Sequence, residues 1–173
     1  MAAVPEVFLR PGDWYFGRGE LRVRTILGSC VAFVFWHPQR RFGGMTHALL
    51  PKRQRPTPGG ATATAIDGHY VDEALQLMLD AVARHGGDLP GYQVHLYGGG
   101  NMFPQILRGR VRNIGDINVD AALAQLAEAG VRTVRTHVRG AGHRKLSLDL
   151  VDGRVLMQQV ELTYVPPLTR FTP

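Results

Sequence analysis

A chain of 173 residues, 45% hydrophobic and 20% charged, is long enough to bury one core and too apolar to remain disordered. Its single cysteine excludes an internal disulfide framework, and no apolar run approaches the roughly 20 residues of a membrane-spanning helix. The net charge of +6 invites a nucleic-acid reading, but 18 scattered arginines cluster only briefly, at Arg40-Arg41, Lys52-Arg53-Arg55 and Arg108-Arg110-Arg112, without zinc-finger spacing, an RNP-type aromatic motif or a basic helix. A basic surface suits an acidic protein partner equally well.

The amino-terminal MAAVPEVFLRPGDW lacks the basic-then-apolar layout of a signal peptide. With the lone cysteine, this points to a reducing compartment and to the cytoplasm. PGD at Pro11 to Asp13 is a turn signal, and Leu21 to Thr25 alternates apolar and polar residues as a half-buried strand does. Val31 to Trp36 is an apolar run bounded by HPQ and reads as a buried strand, so Cys30 falls where one strand turns into the next. Gly43-Gly44 precedes a third apolar stretch, MTHALLP, which stops at Pro51. Residues Pro51 to Thr64, rich in Pro, Gly, Thr and charge, read as a mobile loop.

Between Gly68 and Arg84 the apolar residues Val71, Ala74, Leu75, Met78 and Val82 recur at helical spacing, with Gly86-Gly87 as the stop. QVHLYGGGNM is a strand entering a glycine-rich turn. A second helix is expected from Val119 to Ala129, with Asn118 as N-cap and Gly130 as its terminal glycine. VRTVRTHV reads as a strand, and RKLSLDLVDGRVLMQQVEL as a hairpin about Asp152-Gly153, whose two turn positions both tolerate positive φ. Strands outnumber helices. Repeats and linkers are absent from the pattern, so residues 1–173 read as one domain.

Chemistry centres on Cys30 and His47. A catalytic cysteine needs a base and a site that stabilises the anion. Gly28 permits a tight turn, and such a corner can present amide N–H groups beside the nucleophile, candidates for an oxyanion hole. One strand, a turn at His37-Pro38 and a second strand separate Cys30 from His47, the layout of a hairpin that returns the imidazole to the sulfur. Equally, a lone cysteine serves as a small buried hydrophobe and a lone histidine as a satisfied polar residue, and spacing alone does not choose. Of the other histidines, His37 reads as a turn residue, His85 as a helix C-terminal cation, His95 and His137 as strand residues, and His69 and His143 as solvated residues in or beside glycine-containing loops. None has metal-ligand spacing, so neither metal nor cofactor is expected. GGGN at Gly98 to Asn101 lacks the frame of a phosphate loop and reads as a backbone constraint.

The segments PGD at Pro11, T-x-L-G-S-C-V from Thr25 to Val31, GGMTHALLP from Gly43 to Pro51, YGGGNMF from Tyr97 to Phe103, IGDIN from Ile114 to Asn118 and HRKLSLDLVDGRV near the end together resemble the CheD-type chemoreceptor glutamine deamidases of bacterial and archaeal chemotaxis. The resemblance covers most of the chain. It implies an α/β (α+β) layered sandwich, strand-rich with two main amphipathic helices and similar to the catalytic domain of deamidating bacterial toxins. It implies Cys30 as nucleophile, His47 as general base and acid, Thr25 as the polar residue that orients the histidine, and amides near Ser29 and Cys30 as the stabilisers of the oxyanion. The implied substrate is a set of glutamines on the cytoplasmic helices of methyl-accepting chemoreceptors, and the implied partner is a CheC-type phosphatase, whose regulation is the principal alternative function. A cysteine protease or small-molecule amidase would share the nucleophile. Lys52, Arg53 and Arg55, just past the histidine segment, are expected to meet acidic receptor helices.

Overall fold

In the computed structural model, residues 3–54, 65–85, 87–104 and 112–161 are described. Strands β1 (Glu6–Phe8), β2 (Trp14–Gly17), β3 (Arg22–Leu27), β4 (Val31–His37) and β5 (Phe42–Thr46) precede helix α1 (Val71–His85). Strand β6 (Gln93–Gly98), helix α2 (Ile114–Glu128) and strands β7 (Thr133–Val138), β8 (His143–Asp149) and β9 (Val155–Val160) follow. They form two mixed sheets, in the orders β1-β3-β8-β9 and β2-β5-β4-β6-β7.

Side-chain alternation explains the layering. Along β3, Val23, Thr25 and Leu27 are buried while Arg24 and Ile26 are exposed, so one face of the four-stranded sheet turns inward and the other meets solvent. All seven residues of β4 are buried because both of its faces are covered. Ala32, Val34 and Trp36 pack with Val23, Leu27, Leu146 and Leu148 between the sheets, whereas Val31, Phe33 and Phe35 pack with α1 and α2 on the opposite face. The result is a three-layer α+β sandwich: helices, five-stranded sheet, four-stranded sheet. Cys30 lies at the corner where the chain leaves β3 in one sheet to enter β4 in the other, and it belongs to the core between the sheets.

Helix α1 matches the apolar spacing, with Asp72 and Glu73 in its first turn and Arg84 and His85 in its last, each sign at the end of the helix dipole that favours it. Helix α2 begins five residues earlier than the sequence suggests. Its N-cap is Asn113, whose side chain accepts from the Asp116 amide at 3.0 Å, and Asn118 is an interior, fully buried residue. The glycine-rich turn is the backbone constraint expected: a Cβ on Gly115 would lie 2.6 Å from the Gly99 carbonyl carbon, so only glycine lets α2 close on that turn.

Local expectations divide. His143 begins β8, beside the loop that holds Gly140 and Gly142; the neighbouring Arg144 is fully buried, its Nε donating to His137 Nδ1 at 2.9 Å. His37 ends β4, is buried, and meets Tyr92 edge to face at 5.0 Å. The β8–β9 hairpin forms as expected, but around four residues: Asp149 N–H donates to Arg154 O, and only Gly153 adopts positive φ.

Candidate active site

The two strands flanking the His37–Phe42 turn bring Cys30 and His47 to one face. Val31 and Ala48 exchange both backbone hydrogen bonds, at 3.0 and 2.9 Å. Cys30 and His47 flank that pair as diagonal neighbours, with Cα atoms about 7–8 Å apart. Each side chain alternates away from its neighbour in the Val31–Ala48 pair, so both face the space between the sheets. The β4–β5 ladder opens locally here. Phe33 N–H donates to the Thr46 hydroxyl at 3.0 Å, and His47 turns its backbone to the PGD segment, donating to Asp13 O at 3.0 Å and accepting from Gly12 N–H at 2.8 Å.

Thr25 reaches His47 from the opposite sheet. Its hydroxyl lies 2.8 Å from Leu9 O and 2.8 Å from His47 Nδ1, and Nδ1 lies 3.3 Å from Leu9 O. One proton arrangement satisfies all three contacts: the threonine donates to the carbonyl, and Nδ1–H donates to the threonine oxygen with a second, longer leg to the carbonyl. The imidazole is thereby assigned as the Nδ1–H tautomer, leaving Nε2 with its lone pair. Among the described residues Nε2 is buried and has no hydrogen-bond partner. Burial holds the His47 pKa below its ordinary value, partly offset by the Leu9 contact and by Asp13. Burial also pushes the Cys30 thiol up to about 11, its own amide N–H acting in the opposite direction. These shifts favour a neutral thiol and a neutral imidazole at rest in place of a thiolate–imidazolium pair, and the sulfur and Nε2 share no hydrogen bond.

The backbone at the corner is held from behind. Gly28 O accepts from Gly100 N–H at 2.8 Å, Ser29 O from Asn118 Nδ2 at 3.0 Å and Cys30 O from Gly99 N–H at 2.8 Å. Among the described residues, the amides of Ser29 and Cys30 donate to no backbone carbonyl, the Cys30 N–H facing only its own sulfur. Gly28 lies in a bend, without a positive φ. Its lack of a side chain matters because a Cβ would stand 2.8 Å from Met102 Sδ.

The sequence as a whole has relatives among known proteins. The sequence matches the family model described as CheD chemotactic sensory transduction over residues 49–159. The chain belongs to the CheD family. Among its relatives, a protein of Albidiferax ferrireducens named probable chemoreceptor glutamine deamidase CheD 2 is 40% identical over 155 residues, 90% of this chain and 87% of the relative. A probable chemoreceptor glutamine deamidase CheD of Pseudomonas syringae pv. syringae is 42% identical over 154 residues, covering 88% and 83%. One from Leptospira interrogans, CheD 1, is 33% identical over 165 residues, covering 92% and 96%. The family-model match begins after His47, whereas a shared stretch covering 90% of the chain takes in positions 25 to 47 wherever it begins.

Thus Thr25, His47 and the Ser29–Cys30 corner converge, and the described part of the basic cluster makes no contact with them. Arg53 is engaged elsewhere: two of its nitrogens bond Glu73 at 2.7 Å each, and the guanidinium lies 5.0 Å from the Tyr70 ring centroid. Lys52 is exposed, and Arg55 lies outside the described residues. A surface cavity of about 490 Å³, lined by residues including Tyr92 and Arg132, sits at the far end of β6 from Cys30. Among the described residues no group of three or more His, Cys, Asp or Glu could hold a metal ion, and no helix is long and apolar enough to cross a membrane. Asn118 is what sequence reasoning missed. It closes the IGDIN segment of the resemblance, but its place one residue before an apolar helical run reads as a cap.

Proposed function

We propose that this chain is a protein-glutamine deamidase that converts chemoreceptor glutamine side chains to glutamate, with Cys30 as nucleophile and His47 as the proton carrier. The observation that carries the reading is the buried His47 Nε2: its tautomer is set by Thr25, it lacks a partner among the described residues, and it belongs to the strand that presents His47 on the Cys30 face. Such a nitrogen is a base awaiting a proton.

The thiol proton moves to Nε2 as sulfur attacks the carboxamide carbon; the S–C bond forms and the carbonyl π pair passes to oxygen. The Ser29 and Cys30 amides, neither of which donates to a backbone carbonyl among the described residues, point to an oxyanion hole that receives this charge. Collapse of the intermediate breaks the C–N bond, and the Nε2 proton leaves with the nitrogen as ammonia, giving a thioester. Water then gives a proton to Nε2 as it attacks the thioester, and the returning proton restores the thiol and frees the carboxyl product. Thr25 is neutral and therefore stabilises the imidazolium less than a carboxylate would, which accords with proton transfer during attack in place of a standing ion pair. Regulation of a CheC-type phosphatase can coexist with this chemistry, yet a docking module has no need of a buried imidazole locked in one tautomer.

Peptide mass spectrometry of a chemoreceptor cytoplasmic fragment tests the reading. Wild-type protein should produce site-specific gains of about one dalton, and Cys30→Ala none. Gains that persist in Cys30→Ala, or no gain on several receptors while the thiol still reacts, overturn it. Docking on acidic helices we assign to Lys52, Arg53 and Arg55, of which Arg53 also pairs with Glu73. Reversing all three together should raise KM for intact receptor and flatten its salt dependence; unchanged kinetics remove these residues from docking.

A further inference from the structure

We infer that Asn118 is a positioning residue that clamps the oxyanion hole open, an inference that rests on the deamidase reading above. In a planar trans peptide, the carbonyl of one residue and the amide N–H of the next point in opposite directions. Fixing a carbonyl therefore aims the following N–H. The Ser29 N–H is aimed by the bond from Gly100 to Gly28 O, and the Cys30 N–H by the bond from Asn118 to Ser29 O. The first clamp is backbone, set by the glycine-rich turn; the second is a single side chain, and it governs the amide of the nucleophile itself. Without it, the Ser29–Cys30 peptide is free to rotate and present its carbonyl where negative charge must develop.

Asn118 is built for this task alone. It is fully buried in the second turn of α2, where an asparagine carries no helix-forming advantage. Both hydrogens of its amide are used, one on Ser29 O at 3.0 Å and one on Leu49 O at 2.9 Å, so it holds the nucleophile corner and the chain two residues beyond His47 to one point. Its own Oδ1 is buried and has no partner among the described residues. A flipped amide would set that oxygen against two carbonyl oxygens, so the donors must face the site. Leaving an acceptor unsatisfied costs stability, and the arrangement accepts that cost in order to deliver both donors.

The test separates oxyanion stabilisation from general integrity. In Asn118→Ala and Asn118→Ser, kcat for receptor deamidation should fall about 10²- to 10³-fold, as for loss of one oxyanion donor, with KM for receptor within about twofold. Alkylation of Cys30 by iodoacetamide, a displacement that builds no oxyanion, should stay within about twofold. Retained kcat, or kcat and alkylation falling together, overturns the inference. Should both variants fail to fold, the wild-type protein decides. A glutamine-shaped aldehyde adds the Cys30 sulfur to its carbonyl carbon, the π pair going to oxygen and the thiol proton to that oxygen or to His47. The backbone amide resonances of Ser29 and Cys30 should then move downfield together, and if they stay in place the inference is wrong. A wild-type protein that shows these shifts but deamidates no receptor retains the clamp and loses the deamidase reading.

Discussion

Helices α1 and α2 have the same length, 15 residues, and lie against the same face of the five-stranded sheet, yet they bury different things. Val71, Ala74, Leu75, Met78, Ala81 and Val82 of α1 form one apolar stripe. The buried residues of α2 are Gly115, Asn118, Val119, Ala122 and Leu126, and the first two are neither large nor apolar. Both lie at its amino-terminal end, where Gly115 meets the glycine-rich turn and Asn118 meets the Cys30 corner. A helix that only builds core can follow the 3.6-residue rule throughout; one that also holds a site breaks it where the site is. The departure from amphipathic pattern, more than the pattern, locates the function.

Substitutions on the two helices should therefore separate stability from catalysis. The largest stability effect is expected for Met78→Ala, which empties a fully buried core position: a loss of about 2–5 kcal/mol, read as a lower urea midpoint. Deamidation per folded molecule should hold within about twofold. A ten-fold fall in kcat would mean that α1 positions the site after all.

Gly115→Ala reverses that profile. Its Cβ would press on the Gly99 carbonyl carbon and oxygen at 2.6 Å and the Gly100 oxygen at 2.7 Å, so α2 must shift off the turn. The clamps on Gly28 O, Ser29 O and Cys30 O all run through that junction. Misplacement on this scale is worth about 100-fold in kcat. Activity that survives while stability collapses would assign Gly115 to packing alone.

What the sequence made legible follows the same division. The boundaries of α1 were readable because each buried position is an apolar residue at helical spacing. The start of α2 was not, because Asn118 in front of Val119 is indistinguishable from an N-cap without the glycine turn that buries it. The return of His47 to Cys30 was readable, since a hairpin is a local pairing across one turn. Spacing could not establish the bond from Thr25 to His47, which crosses between sheets: strand alternation says that Thr25 points inward, and sheet stacking decides what it meets. Leu9 O, which fixes the tautomer, is a backbone atom and leaves no mark in residue identity.

Titration offers the smallest effect and the finest discrimination between the helices. With its thiol raised from an ordinary 9.0 to about 11, Cys30 should be alkylated at a rate that climbs through about pH 11, with no plateau at neutral pH. Stability follows from linkage. Between about pH 9 and 11 the unfolded chain loses the thiol proton and the native chain keeps it, so stability falls as pH rises, by at most about 2 kcal/mol after allowance for solvent screening. His47 works at the other end: its native pKa lies below 6.5, so as pH falls below that value the unfolded chain takes the proton first and stability falls again. Between these limits neither group contributes a slope. Both shifts originate in burial, and burial at the corner depends on α2. Met78→Ala should therefore leave the alkylation midpoint near 11, while Gly115→Ala, by admitting water, should draw it back towards 9. If both variants shift it equally, the corner owes its dryness to the core as a whole, and the division of labour between the helices fails.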